Sequence, residues 1–520
     1  MAGWMDPIYH KPDEASRMKS LTRFVTHLVI VTVFLSGCTM VGPNYTQPAA
    51  KVAPQWLEFE DPRLKTTSPV EPLWWKQTFQ DPVLDQLVDE ALAGNLTLRS
   101  AALRVLQARQ VLLITKGNLF PQSQYIGASA EVVDPGAGVG SLEVYNLNFN
   151  LSWEIDVWGR IRRQIESASA AYDATLSNYD GILVTLVGEV AQTYLLIRTT
   201  EQRLTLAREN LTNQEESVRI SQAKFDAGDT SALDVEQGQT LLYNTKSSVV
   251  LLEQSLRQFK IALAILLGRL PEYLTERLSN PGSIPVVSPV LAVGMPQNLI
   301  RRRPDIRTAE RKLAAQSAQI GVAVSDLYPA FSLAGFIGLG VSQASGQQLA
   351  DLFNSENITY SFGGFARWNV FNYGRIENNI LLQDAAFQQL LEDYRRTVLQ
   401  AQGEVERSLV AFFQSLLQLK ALQQAADAAK RAADISTEQY MEGLVDYNTV
   451  VSTLNAVATQ QDLLASLQGT VAANLVEVYR SLGGGWEIRQ SENAGDLIPQ
   501  ETQDEMRARG KYRKAAPKHK

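Results

Sequence analysis

The chain has 520 residues, 45% hydrophobic and 20% charged, with a formal net charge of −7. This balance excludes a disordered chain and an ordinary polytopic membrane protein, and it argues against general nucleic-acid binding, which needs a basic face to neutralise phosphates. Three His and one Cys leave no material for a clustered His/Cys metal site or an internal disulfide.

In chain order the first element is "MKSLTRFVTHLVIVTVFLSGC", from Met18 to Cys38. Lys19 and Arg23 precede an apolar core from Phe24 to Leu35, and small residues close it, as in a secretory signal. The core is too short to span a bilayer comfortably. Its ending, Leu35-Ser36-Gly37-Cys38, resembles a bacterial lipobox, which implies removal of residues 1–37, a true start at Met18 and acylation of Cys38. Thr39 in place of Asp implies, by the same resemblance, sorting to the outer membrane. Several acyl chains together make such an attachment stable.

Residues 38–94 are expected to hold the lipidated N-terminus and part of a small domain. A helix is expected over 95–118, ending before Pro121. The run "YNLNFNLSWEIDVWGR" at 145–160 then alternates: Tyr145, Leu147, Phe149, Leu151, Trp153, Ile155 and Val157 are apolar, and every residue between them is polar. Period two marks a strand with one dry and one wet face, the second arm of a hairpin over 122–157. A very long helix follows to Ala227, roughly 100 Å at about 1.5 Å per residue. Gly228 marks its stop, and a return helix runs to Gly268.

The chain is then written a second time. "LSWEIDVWGRI" at 151 matches "ARWNVFNYGRI" at 366, an offset of 215 that also carries Gly228 onto Gly443. "GNLFPQ" at 117 matches "SDLYPA" at 325 with an offset of 208, leaving seven extra residues between the second pair of strands. A linker at 269–303 separates repeat 1 (95–268) from repeat 2 (304–483). The second copy has a helix over 304–326, a hairpin over 331–372 with Trp368 as the image of Trp153, and long and return helices. Residues 484–520 end in a basic tail. In the long helices Leu183, Val190, Ile197, Leu204, Leu211, Val218 and Phe225 recur every seven residues, as do Val398, Val405, Phe412, Leu419, Ala426, Ala433 and Tyr440. A seven-residue period implies supercoiling against neighbours.

After Cys38 the sequence shows no apolar run of about 18 residues, so no spanning helix is expected. Closed barrels are the remaining way across lipid. Two hairpins supply only four strands, so several chains must pool theirs. The expected fold class is mainly α with a transmembrane β-barrel: an internally duplicated long-helix α-barrel with four strands per chain.

"LSGCTMVGPNY", "LWWKQTFQDPVLDQLV", "RRRPDIRTAERKLAAQSAQIGVAVSDLYPAFSL" and "SLGGGW" resemble the lipoprotein branch of the TolC-like outer-membrane factors, the OprM or NodT type. The resemblance spans nearly all of 35–486. It implies a homotrimer with a 12-stranded barrel, a helical periplasmic tunnel, and an equatorial domain from 39–94, 269–303 and the chain end. It implies passive efflux, with a periplasmic adaptor and an inner-membrane resistance-nodulation-division (RND) pump as partners, at a tip around Gly228, Asp234, Gly443 and Asp446. Asp446 matches a pore-facing ring and Asp234 a latch; each also suits a helix N-terminus. The strand residues Tyr145, Leu147, Phe149, Leu151, Trp153 and Trp368 are expected to face lipid. Trp74 and Trp75 read as packing anchors, and Arg301 to Arg303 as partners of nearby acids. No cofactor, catalytic or metal residues are expected, since His10, His27 and His519 lie in the leader and tail. An exit duct for type I protein secretion, or a structural envelope lipoprotein, are the competing functions.

Overall fold

The computed structural model describes residues 40–65, 71–134, 136, 140–489 and 496–510. The signal segment, Cys38 and the basic tail from 511 lie outside the described residues. The chain divides into two compact units. One comprises Met1–Gln47, Arg109–Tyr172 and Lys312–Leu391; the other comprises Pro48–Ala108, Asp173–Arg311 and Glu392–Lys520.

The order of elements is β1 (Leu64–Lys65), α1 (Trp74–Phe79), α2 (Pro82–Gly94), α3 (Leu96–Gly117), β2 (Ser123–Val133), β3 (Leu142–Ile155), α4 (Arg160–Asp226), α5 (Ala232–Leu266), α6 (Tyr273–Arg277), β4 (Leu291–Ala292), α7 (Leu299–Arg302), α8 (Pro304–Ser325), β5 (Ala330–Ser342), β6 (Ile358–Arg367), α9 (Arg375–Met441), α10 (Tyr447–Ser481) and α11 (Gln500–Arg509). The duplication holds to the residue: α3 and α8 each have 22 residues, α4 and α9 each have 67, and α5 and α10 each have 35. All four helices of the long-and-return pairs stop at a glycine with positive φ: Gly228, Gly268, Gly443 and Gly483. At each, the glycine N–H reaches three residues back and the following N–H five back, as in Asp229 to Lys224 and Leu444 to Gln439, both at 2.8 Å. This left-handed cap satisfies the last carbonyls of the helix.

The first unit holds the four-stranded antiparallel sheet, in the order β2-β3-β5-β6. β3 ends at Ile155, two residues before the expected Val157. The cause is Asp156, whose carboxylate leaves the wet face to accept the Ile161 and Arg162 N–H groups at 2.9 and 3.0 Å, capping the first turn of α4. Trp368 lies one residue past β6 rather than within it. Two tryptophans repeat one bond: Trp153 Nε1 donates to Leu119 O at 3.2 Å, and its image Trp368 donates to Leu327 O at 3.0 Å. The expected spacing of the first strand pair needs a correction. Ile126 faces Phe149 and Leu333 faces Gly364, so β2 maps onto β5 with an offset of 207, not the 208 that relates Pro121 to Pro329. Gln122 is the unmatched residue.

The second unit packs the rest of the long helices with the small domain. Its segments meet through the parallel pair β1 and β4, the bond from Trp56 Nε1 to Gly294 O at 2.8 Å, and the stacking of Trp74 on Tyr479 at 4.9 Å. Trp74 and Trp75 are both buried, as packing anchors require. Arg302 pairs with Glu487 at 2.9 Å and Arg303 with Asp305 and Glu404 at 2.7 and 2.6 Å. Arg489 and Arg307 converge on buried Asp180, whose carboxyl is nonetheless pushed up by burial.

Each return helix abuts the start of a short helix by an equivalent bond. Asn95 Nδ2 donates to Leu266 O at 2.8 Å, and Arg303 Nη1 donates to Ser481 O at 2.7 Å. Asn95 and Arg303 are images at one repeat offset, Leu266 and Ser481 at the other. The same carbonyl position at a helix end is satisfied in both copies by unlike side chains.

Two expectations about the long helices are corrected. A stretch of α4 is long and apolar enough to cross a membrane, with mean hydropathy 1.4. Most of it is buried in the fold, where Leu183, Val187, Val190, Leu195 and Ile197 pack as core. The seam of α4 is also buried only as far as Leu204. Leu211 and Val218 are half-buried and Phe225 is exposed, whereas in α9 the seam persists through Ala426, Ala433 and Tyr440.

Candidate functional site: an amphipathic sheet and a helical tip

Strand register sorts the sheet into two faces. On the dry face Leu147 lies between Ala128 and Leu339, Phe149 between Ile126 and Ile337, and Leu151 beside Gly335, with Trp153 facing Leu333 and Tyr145 facing Val341. β6 continues this face with Tyr360 and Phe362 opposite Ile337 and Gly335. On the wet face is the column Asn146, Asn148, Asn150; Asn146 and Asn148 lie beside small neighbours, Gly340 and Gly338 on β5 and Ser129 and Gly127 on β2, and Asn150 lies between Phe336 and Tyr125. The amides need this room. A Cβ at Gly338 would collide with Asn148 Oδ1, and one at Gly340 would come to 2.9 Å of Asn146 Oδ1. Because side chains alternate, one mainly apolar face extends across all four strands, with Gln124 and Glu143 the polar residues toward its two ends on β2 and β3.

All four strands meet helices at the same end of the sheet, and both hairpin connections lie at the other. At the helix end the segment after Cys38 is strapped down. Val41 N–H donates to Trp158 O at 3.0 Å. Arg163, almost fully buried, donates to Val41 O at 3.0 Å, Gly42 O at 3.1 Å and Asn44 Oδ1 at 2.9 Å, and pairs with Glu166. A Cβ on Gly42, at φ 83°, would strike the Gly321 backbone, and one on Gly321 would strike the Arg163 side chain, so both positions need glycine. Cys38 itself lies outside the described residues.

At the opposite end of the long helices are the two turns at Gly228 and Gly443. Both glycines are exposed, with open space around them. Asp446 is the N-cap of α10: its carboxylate accepts the Thr449 N–H at 2.9 Å and the Thr449 hydroxyl at 2.8 Å. Those bonds hold its carboxyl below the ordinary carboxylate value. Its image is Ser231, the N-cap of α5, while Asp234 corresponds to Thr449 and receives the Thr230 hydroxyl. Asp446 therefore does have the capping role, in the geometry that favours negative charge at a helix start.

Sequence reasoning missed a polar ladder joining the copies near this end. Arg203 binds Asp462 through two bonds of 2.7 and 2.9 Å, Asn210 binds Gln461 at 2.9 Å, Ser217 meets Tyr447 Oη at 3.1 Å, and Lys224 donates to Tyr440 O at 2.8 Å. These four residues of α4 are spaced by seven, each one position before a seam residue, so the signal was present beside the apolar repeat. Tyr440, Tyr447 and Val450 form a small apolar cluster beneath it. Buried Gln214 and Ser221 add further polarity. The interior of α4 thus changes from aliphatic to polar toward the tip, and contacts of this kind separate at less cost than a dry core. Among the described residues no group of His, Cys, Asp or Glu could hold a metal.

The family described as Outer membrane efflux protein matches residues 87–269 and 295–484, one stretch in each copy. The solvent efflux pump outer membrane protein SrpC of Pseudomonas putida is 30% identical over 492 residues, covering 91% of this chain and all of that one. The pyoverdine export outer membrane protein OpmQ of Pseudomonas aeruginosa is 31% identical, covering 87% and 96%. The cation efflux system protein CusC of Escherichia coli is 28% identical, covering 88% and 98%. Among solved structures, the outer-membrane channel OprN matches with a TM-score of 0.81 at 33% identity, over 86% of this chain and 99% of that one.

Proposed function

The chain belongs to the outer membrane efflux protein family, and from that premise we propose how its own residues build a conduit. It is an outer-membrane channel of a tripartite efflux pump and not an enzyme. The proposal is that three copies pool their strands into a 12-stranded barrel. The dry face with Tyr145, Leu147, Phe149, Leu151 and Trp153 meets lipid, Trp368 sits at its helix-side margin, and the asparagine column lines water. Cys38, acylated, anchors the chain to the same membrane.

One observation carries this reading: a single, mainly apolar face shared by four strands whose two outer edges are unpaired among the described residues. Lipid offers backbone groups no hydrogen-bond partners, so an open sheet edge cannot remain there, and four strands are fewer than the eight or so that bacterial barrels need. The tips at Gly228, Asp234, Gly443 and Asp446 then meet a periplasmic adaptor, and an inner-membrane RND pump delivers the cargo. The relatives are named for solvent, pyoverdine and cation export, which favours small solutes over a secreted polypeptide.

Planar-bilayer recording of the purified protein tests this. Stepwise conductance is expected, larger after Asp234→Ala and Asp446→Ala. A protein that conducts under neither condition is not a channel.

A further inference from the structure

The geometry points to one register by which the open edges of the sheet join, copy to copy: Ala366 of β6 opposite Ala128 of β2 in the next chain, Trp368 opposite Ile126, and Phe362 opposite Val132. Tyr373 of one chain then stacks on Phe120 of the next. The inference rests on the trimeric channel proposed above and names the contact that closes it.

The argument uses the duplication as a ruler. Inside the chain β3 of copy 1 already pairs with β5 of copy 2, with Leu151 facing Gly335, Trp153 facing Leu333 and Leu147 facing Leu339. The image of β3 is β6, at the offset that takes Trp153 to Trp368. The image of β5 in copy 1 is β2, at the offset of 207 fixed by the pairs of Ile126 with Phe149 and of Leu333 with Gly364. A ring in which copy 1 and copy 2 alternate therefore repeats the β3–β5 junction as a β6–β2 junction between chains. Moving each known pair by its own offset yields the register stated. In this register Phe362 and Ala366 of β6 lie opposite the dry-face residues Val132 and Ala128 of β2, and Phe365, on the other face, lies opposite Ser129, so each face of the sheet continues as the same face across the seam. A register shifted by one residue would place Ala366 opposite Gly127, a wet-face position, and break this continuity.

Aromatic residues at the helix end agree. Within the chain Trp158 stacks on Tyr328 at 4.7 Å and donates its indole N–H to Pro329 O at 2.9 Å. The image of Trp158 is Tyr373, 98% exposed, and the image of Tyr328 is Phe120, 69% exposed. Two large rings that pair in one half of the chain lie bare in the other, at the two edges that the register brings together. β6 also stops three residues short of the image of Ile155, as expected of a strand with one neighbour missing.

Cysteine pairs test the register in the full-length chain. Ala128→Cys with Ala366→Cys replaces small side chains, and antiparallel partners lie within the Cα range that a disulfide accepts. Mild oxidation is expected to convert most of the protein to a covalently linked oligomer that reductant releases. Each single variant, with Cys38 as its one other cysteine, should remain monomeric on a denaturing gel, as should Ala130→Cys with Ala366→Cys. Phe120→Ala or Tyr373→Ala should lower the temperature at which the native oligomer dissociates. If an amine-reactive cross-linker still captures trimers while Ala128→Cys/Ala366→Cys forms no disulfide, or the Ala130 pair forms it instead, the register is wrong and the trimeric channel stands. If the amine-reactive reagent captures no oligomer, the trimeric reading falls and the register with it.

Discussion

Gln122 pairs with Glu154 by imitating a backbone: its Oε1 accepts the Glu154 N–H at 2.7 Å and its Nε2 donates to Glu154 O at 3.2 Å. Gln122 is the residue that copy 1 has and copy 2 lacks between the proline and the strand. Its side chain supplies one more rung to the ladder and lets β2 enter in phase. Deleting Gln122 should therefore be tolerated, because copy 2 passes from Pro329 to Ala330 without such a residue; the cost expected is these two bonds and the one from its Nε2 to Asn118 O at 2.8 Å, about 1–3 kcal/mol in all. Deleting Ala128 instead flips half of β2 to the wrong face, and no heat-modifiable oligomer should reach the outer membrane. Folding yield and thermal dissociation of the two deletions, side by side, check this.

Arg303 does the work of Asn95 in the other copy and carries Asp305 and Glu404 as well. Arg303→Ala removes a charge-assisted bond to the Ser481 carbonyl and leaves two carboxylates without their cation; about 2–3 kcal/mol of stability should be lost. Arg303→Asn should recover part of that by rebuilding the Asn95 bond. Denaturant titration of the three proteins distinguishes these outcomes.

Gly238 is where α5 passes Tyr447 of α10, and a Cβ there would overlap the phenol oxygen. Gly238→Ala should push these helices apart, cost about 1–3 kcal/mol, and break the contact between Ser217 and Tyr447. Single-channel recordings should show longer open times than the parent. An unchanged closed state would mean that this contact does not hold the tip.

Asp446 combines a cap with a charge, and two substitutions divide them. Asp446→Asn keeps an acceptor for Thr449 and loses the charge; Asp446→Ala loses both. If the carboxylates form a ring, reversal potentials in a salt gradient should show reduced cation preference in both variants. Faster hydrogen exchange at the start of α10 is expected in Asp446→Ala alone. Because its bonds to Thr449 lower the folded value, the charge contributes fully above the ordinary 3.8 and is lost as pH falls through the lower folded value. Selectivity should therefore be flat from pH 8 to pH 5 and decline in stronger acid.

Cys38→Ser should abolish incorporation of labelled palmitate and block signal removal at that site. Label still entering the variant would locate the acylation elsewhere.

Much of this architecture could be read from residue order, and the exceptions share a cause. The duplication, the two hairpins and the glycine stops are local patterns, and local patterns survive into structure. Asp156 was misread because alternation alone cannot show that a helix four residues on needs an acceptor. Phe225 was misread because an apolar repeat does not reveal which neighbour covers it, and here polar partners at 203, 210, 217 and 224 take over the contact. Trp158 against Tyr328 depends on two segments 170 residues apart in sequence, a proximity no window can detect.

The buried strap at Arg163 changes what a lipid on Cys38 would do. Met40 packs on Gly159, and two residues of chain reach no more than about 7 Å, so an acyl group on Cys38, as proposed, would be tethered near the boundary between strands and helices. A lipid held there would be a depth stop, not a leash. The leaflet would meet the acyl chains and the aromatic margin of the sheet at one level, and a bilayer too thick or too thin for the strands would strain both attachments together, a mismatch cost of fractions of a kcal/mol per Å that each chain in the ring adds separately.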